Sequence, residues 1–86
     1  MSTTYEVHRL LWDIRRHSDV KRRYLEDAEA VLDEYQVEGE LRNWLQEKDF
    51  RSMYLYGINP YLLYFCAIQL QVDRAEYYAQ IRGERP

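Results

Sequence analysis

Apolar residues recur along this chain with the spacing of helices, and nowhere do they alternate with the two-residue period of a strand. Val7, Leu10, Leu11 and Ile14 fall at i, i+3, i+4 and i+7, a single stripe down a first helix. Thr3 and Glu6 have the spacing of a capping box at its start, and Arg15 and Arg16 suit the negative end of its dipole. Ser18 or Asp19 opens a second short helix with Val20, Tyr24 and Leu25 turned inward. A break near Asp27 leads to a third, with Val31, Leu32 and Tyr35 on one side. Gln36 and Val37 bridge to a fourth, where Leu41, Trp44 and Leu45 again have helical spacing and Gly39 lies near the start, where it costs least.

The centre of the pattern is residues 49–70, DFRSMYLYGINPYLLYFCAIQL. Asp49 is an N-cap residue, its carboxylate placed to accept from the unpaired amides of the next turn. Gly57 stands where that helix would stop, because glycine takes the left-handed conformation without steric cost. Asn59 caps a new helix, and Pro60 at its first position loses nothing by lacking an N–H. From Tyr61 to Ile68 every residue is apolar or aromatic. The run is too long for a half-buried strand and too short to span a bilayer, so it predicts a central core helix over about 60–71. Asp73 and Glu76 then open RAEYYAQIR, which ends at Gly83. The expectation is an all-α fold: one small domain, residues 1–86, of six to seven short helices packed around the central apolar one.

Composition changes this picture in two places. A chain of 86 residues buries only about 60–65% of its unfolded surface, so a partner would add to its stability. The mean hydropathy of −0.70 would suit disorder, yet 47% of the residues are hydrophobic and nine are tyrosines. Tyrosine packs through its ring while its hydroxyl seeks water or a hydrogen bond, and it is enriched at interface cores.

The charges are segregated. Residues 15–23 hold five basic side chains against one Asp, and residues 26–40 hold seven acidic ones and no basic one. With a net charge of −3 and arginines spread around the helix axis, the basic cluster reads as a solvated, partly paired face rather than a nucleic-acid footprint. No run is long and apolar enough for a membrane span. The N-terminus lacks a basic leader followed by an apolar stretch, so the expected compartment is the cytoplasm.

Candidate catalytic groups are few. His8 and His17 are nine residues apart, which at about 100° per residue puts them on opposite sides of any one helix. There is no third histidine, no cysteine pair for zinc, no glycine-rich phosphate loop and no nucleophile elbow. Cys66, the single cysteine, lies inside the apolar run and reads as a small buried hydrophobe. The residues present assemble no active site by themselves: no catalytic residue and no metal ligand is assigned.

The order of features over residues 23–82 nevertheless resembles a known family. Tyr24, Asp27 and Tyr35 lie in RYLEDAEAVLDEYQV; the Asp49-Phe50 helix start and the Tyr56-Gly57-x-Asn59 corner lie in EKDFRSMYLYGINPYLLYF; Glu76-Tyr77-Tyr78 lie in DRAEYYAQI. Together these look like the small (alpha) subunit of protocatechuate 4,5-dioxygenase and its type II, or LigAB, extradiol relatives. The resemblance implies an all-helical, non-catalytic small subunit that binds no cofactor of its own. Iron(II) and the catalytic histidines would belong to a large catalytic dioxygenase subunit, whose cleft the small subunit caps in an α2β2 assembly. An aromatic, catechol-type substrate would be met only through that complex, without nucleic acid or membrane. It also implies that Tyr56, Gly57, Asn59, Pro60 and Tyr61 face the partner or its cleft. The chain resembles the compact stand-alone members, because the Leu70-Gln71-Val72-Asp73 link is short where longer members carry an insertion. Two other classes stay open: a recognition domain of a modified-peptide precursor, and a helical regulatory or interaction protein without a ring-cleavage role.

Overall fold

The computed structural model describes residues 4–83, and among them seven helices and no strand. They are α1 (Thr4–Arg16), α2 (Ser18–Glu26), α3 (Ala28–Glu34), α4 (Gly39–Glu47), α5 (Phe50–Tyr56), α6 (Pro60–Gln69) and α7 (Arg74–Arg82). The all-α expectation holds, with breaks where capping chemistry places them. Asp27, Asp49, Asn59 and Asp73 each accept from backbone amides of the helix that follows. The expected cap at Thr3 lies outside the described residues. The second helix starts at Ser18 as expected, but behind His17, whose side chain makes no cap hydrogen bond.

Four of the breaks pass through left-handed backbone, at Gln36, Lys48, Gly57 and Gln71. Gly57 has φ +117° with open space where a side chain would stand, so its glycine is required by conformation and not by crowding. Lys48 takes the same region, φ 58°, at the end of α4, an uncommon setting for a side-chain-bearing residue.

The core is the expected stripe of α1 and what it faces. Val7, Leu10, Leu11 and Ile14 are at most 1% exposed. Around them lie Val31, Leu32, Val37, Leu41, Leu45, Phe50, Met53 and Ile58, all buried. Val20, Tyr24 and Tyr35 are inside as read from spacing. Leu25 is not: α2 turns it outward to 52% exposure, because the nine-residue helix offers one inward face and Val20 and Tyr24 occupy it. Trp44 is half-buried at the core's edge.

α6 differs from a fully enclosed core helix. It packs against α1, α5 and α7 and buries Leu63, Cys66 and Ala67, yet Tyr61 remains 59% and Ile68 41% exposed. The molecule's shortest dimension is 19 Å, about two helix diameters, so every helix keeps an outer face. Periodicity cannot reveal which face that is in a helix apolar all round.

Candidate functional site: an exposed aromatic corner

The turn between α5 and α6 is built in three steps. At the end of α5 the Ile58 amide donates to the Met53 carbonyl at 3.0 Å and the Gly57 amide to the Tyr54 carbonyl at 3.2 Å. This is the paired closure that a left-handed glycine allows, with the following apolar residue packed inward, and Ile58 is 1% exposed. Asn59 then restarts the chain, its Oδ1 accepting from the amides of Tyr61 (2.8 Å) and Leu62 (3.4 Å).

Two other helices hold the corner. His8 Nε2 on α1 accepts the Asn59 N–H at 2.9 Å, which puts the proton of the neutral ring on Nδ1. Tyr77 on α7 donates its hydroxyl to the Pro60 carbonyl at 3.3 Å. Beneath α5, the buried Gln80 side chain accepts the Phe50 N–H at 3.0 Å, satisfying an amide that helix geometry leaves without a partner. Arg51 donates to the Ile81 carbonyl at 2.8 Å, tying α5 to the end of α7.

This support presents an aromatic surface. Tyr54, Leu55, Tyr56, Tyr61, Ile68 and Tyr78 are all exposed, six of the nine large hydrophobic side chains left exposed among the described residues. Residues 52–72 contain no charged side chain. Tyr54, Pro60, Tyr61, Tyr64, Tyr77 and Tyr78 line an open groove of about 480 Å³. Edge-to-face contacts fix its rings: Tyr64 with Tyr77 at 5.7 Å, Tyr77 with Phe50 at 5.6 Å, and Tyr61 with Phe65 at 4.8 Å. Tyr56 leans on Trp44 at 5.6 Å. The tyrosines are thus preset, and docking against them would cost little side-chain entropy.

All five residues singled out from the sequence sit together at this corner. Tyr56, Gly57, Asn59, Pro60 and Tyr61 are each exposed. What sequence reasoning missed is the support: His8, Tyr77 as a hydrogen-bond donor, and Gln80. Gln80 stands three residues after Tyr77, on the inward spacing of α7, and a polar residue at a core position signals a buried hydrogen bond. For His8 no local signal exists, since its partner is 51 residues away.

The groups buried here are inert at neutral pH. Burial pushes the Cys66 thiol up to about 12, as expected for a packed hydrophobe. Burial likewise holds the Tyr77 hydroxyl at about 12 and raises that of Tyr24. Tyr35 rises to about 12 through burial and through its hydrogen bond to the Asp13 carboxylate, 2.6 Å long. Among the described residues no three His, Cys, Asp or Glu side chains come together as metal ligands. His8 is committed to the corner, and His17 lies beyond the end of α1, exposed.

The family comparison says what kind of protein carries this surface. Residues 7–86 match the family of the LigA subunit of LigAB, an aromatic-ring-opening dioxygenase. The chain belongs to this family. The match takes in α1 from Val7 onward, beyond the span over which motifs alone carried the resemblance. Comparison with curated proteins gave no significant match, and neither did comparison with solved structures. A LigA chain is the small subunit of a ring-opening dioxygenase, and its partner is the large subunit. No helix among the described residues is long and apolar enough to cross a membrane.

Proposed function

We propose that this chain is the non-catalytic small subunit of an iron(II) extradiol catechol dioxygenase, and that its α5–α6 corner caps the active-site cleft of the large subunit. The observation that carries the reading is the half-covered α6: a helix apolar on every side, with Tyr61 and Ile68 exposed and Tyr61 lining one groove with Tyr54 of the uncharged α5 end. Contiguous exposed apolar surface of this kind marks an interaction site. Iron belongs to the large subunit in this reading, as the family resemblance implies.

The chemical use of such a cap is exclusion of water and fixation of the cleft's shape, which help a metal centre on another chain to act on a bound catechol. The residues for this work are Tyr56, Pro60 and Tyr61, presented by Gly57 and Asn59. Two small and two large subunits form the complete enzyme, in the cytoplasm.

The test is reconstitution. The full chain is added to the large subunit purified from the same organism, and catechol ring opening is followed with iron content held constant. Activity should appear or rise as a stable complex forms. A complex without change in activity would leave only the partner contact, and absence of any complex would sink the reading.

A further inference from the structure

α1 carries a second exposed surface that neither the core nor the corner uses. Tyr5, Arg9, Trp12 and Arg16 recur at i, i+4, i+7 and i+11, one outward stripe opposite the buried Val7, Leu10, Leu11 and Ile14. Tyr5 is 69% and Trp12 44% exposed. Tyr5, His8, Arg9, Trp12 and Leu62 of α6 border an open groove of about 430 Å³. The stripe is therefore both apolar and cationic, unlike the neutral corner beside it.

Its arginines are held by rings. The Arg16 guanidinium lies 5.3 Å from the Trp12 ring centre and that of Arg9 lies 5.2 Å from Tyr35. Arg15, at the border with α6, sits 3.9 Å over Phe65 and 5.4 Å from Tyr61. A guanidinium held over a ring face still has in-plane N–H donors, which can receive a carboxylate edge-on. Two ion pairs engage other arginines, Arg23 with Glu34 and Arg42 with Asp33. The carboxylate of Asp13, also on α1, already accepts from Tyr35.

We propose that this α1 stripe is a second docking surface, for an acidic segment of the large subunit that lays an apolar side chain into the groove over Leu62. The proposal rests on the small-subunit reading above. Charge selects the occupant: arginines held over rings are complementary to carboxylates. Position selects the source, since Leu62 directly follows Tyr61 and Arg15 touches the corner's own rings, so a partner seated on the corner reaches α1 without a gap. A second copy of this chain is disfavoured. A two-fold pairing would set the same arginines against each other, and docking onto the acidic α3–α4 end would be head-to-tail, giving a ring or a filament in place of a simple dimer. The arginines would act mainly through encounter rate and choice of partner, and Trp12 through lifetime.

The experiment measures association of the full chain with the large subunit at low and at physiological salt. It compares the natural chain, the double charge reversal Arg9→Glu/Arg16→Glu, Trp12→Ala, and Tyr61→Ser as a corner control. The double reversal should slow association about tenfold or more at low salt and flatten its salt dependence. Trp12→Ala should speed dissociation about tenfold, with melting temperatures for both variants close to that of the natural chain. If both bind like the natural chain while Tyr61→Ser binds weakly, this inference falls and the subunit reading stands. If the natural chain binds no dioxygenase subunit, both fall. Salt-steep RNA or DNA binding lost on the double reversal, with large-subunit binding unaffected, would reassign the stripe to nucleic acid and overturn the proposal.

Discussion

α1 and α6 lie against each other and run in the same direction, His8 meeting Asn59 near their starts and Arg15 meeting Phe65 further along. Both are rich in aliphatic residues, yet folding covers those of only one completely. α1 confines its aliphatic residues to one stripe, and the fold covers that stripe to within 1%. α6 is apolar on every side, and the fold covers one side. The stripe of α1 is thus explained by the stability of this chain alone. The outer side of α6 is not, since keeping Tyr61 and Ile68 in water forgoes burial of about 25 cal/mol per Å². The buried stripe of an amphipathic helix belongs to its own domain; the open face of an all-apolar helix belongs partly to something else.

The comparison breaks most visibly at Leu10. Leu10→Ala on the fully buried stripe should cost about 2–5 kcal/mol of folding stability, read as a large fall in denaturation midpoint. A loss below about 1 kcal/mol would mean that α1 is not the core helix. Next comes alkaline titration. Tyr35, Tyr77 and Cys66 have folded-state values near 12, above their ordinary ones, so folding favours their protonated forms. Their contribution is full below the unfolded values, about 9 for the thiol and 10 for the phenols. It is lost as pH rises from there toward 12, by at most about 1.4 kcal/mol per group per pH unit. Stability measured from pH 7 to 9 should be nearly flat in these groups and should drop steeply above 10.

Smaller effects sharpen the contrast. Asn59→Ala removes the cap of α6 and should cost about 1 kcal/mol, with amide exchange quickening at Tyr61 and Leu62 and not along α1. Tyr61→Ser should change folding stability least, by a few tenths of a kcal/mol, as for other exposed positions. It should nonetheless weaken the large-subunit complex about tenfold or more. Equal effects on folding and binding would place Tyr61 in the core and remove the distinction between the two helices.

The fold was largely legible because its signals are local. Four short-range caps, at Asp27, Asp49, Asn59 and Asp73, use side chains within three residues of the amides they satisfy. Gly57 marks a backbone conformation that its own residue type permits. The stripe of α1 follows from helical period alone. Leu25 was misplaced because an apolar residue beside Tyr24 can face either way on a one-sided helix, and only the neighbours decide.

The sequence by itself determined the helices, their ends, the buried stripe and the uncharged corner, all properties of residues a few positions apart. Tertiary structure alone decided which side of α6 stays open, that His8 and Tyr77 brace the corner from α1 and α7, and that Gln80 satisfies Phe50 from 30 residues away. It also decided that Arg15 lies on Phe65, joining a basic helix to an aromatic one. The division has one physical cause. Backbone conformation and capping are set by near neighbours, whereas burial and long-range hydrogen bonds depend on which helices meet.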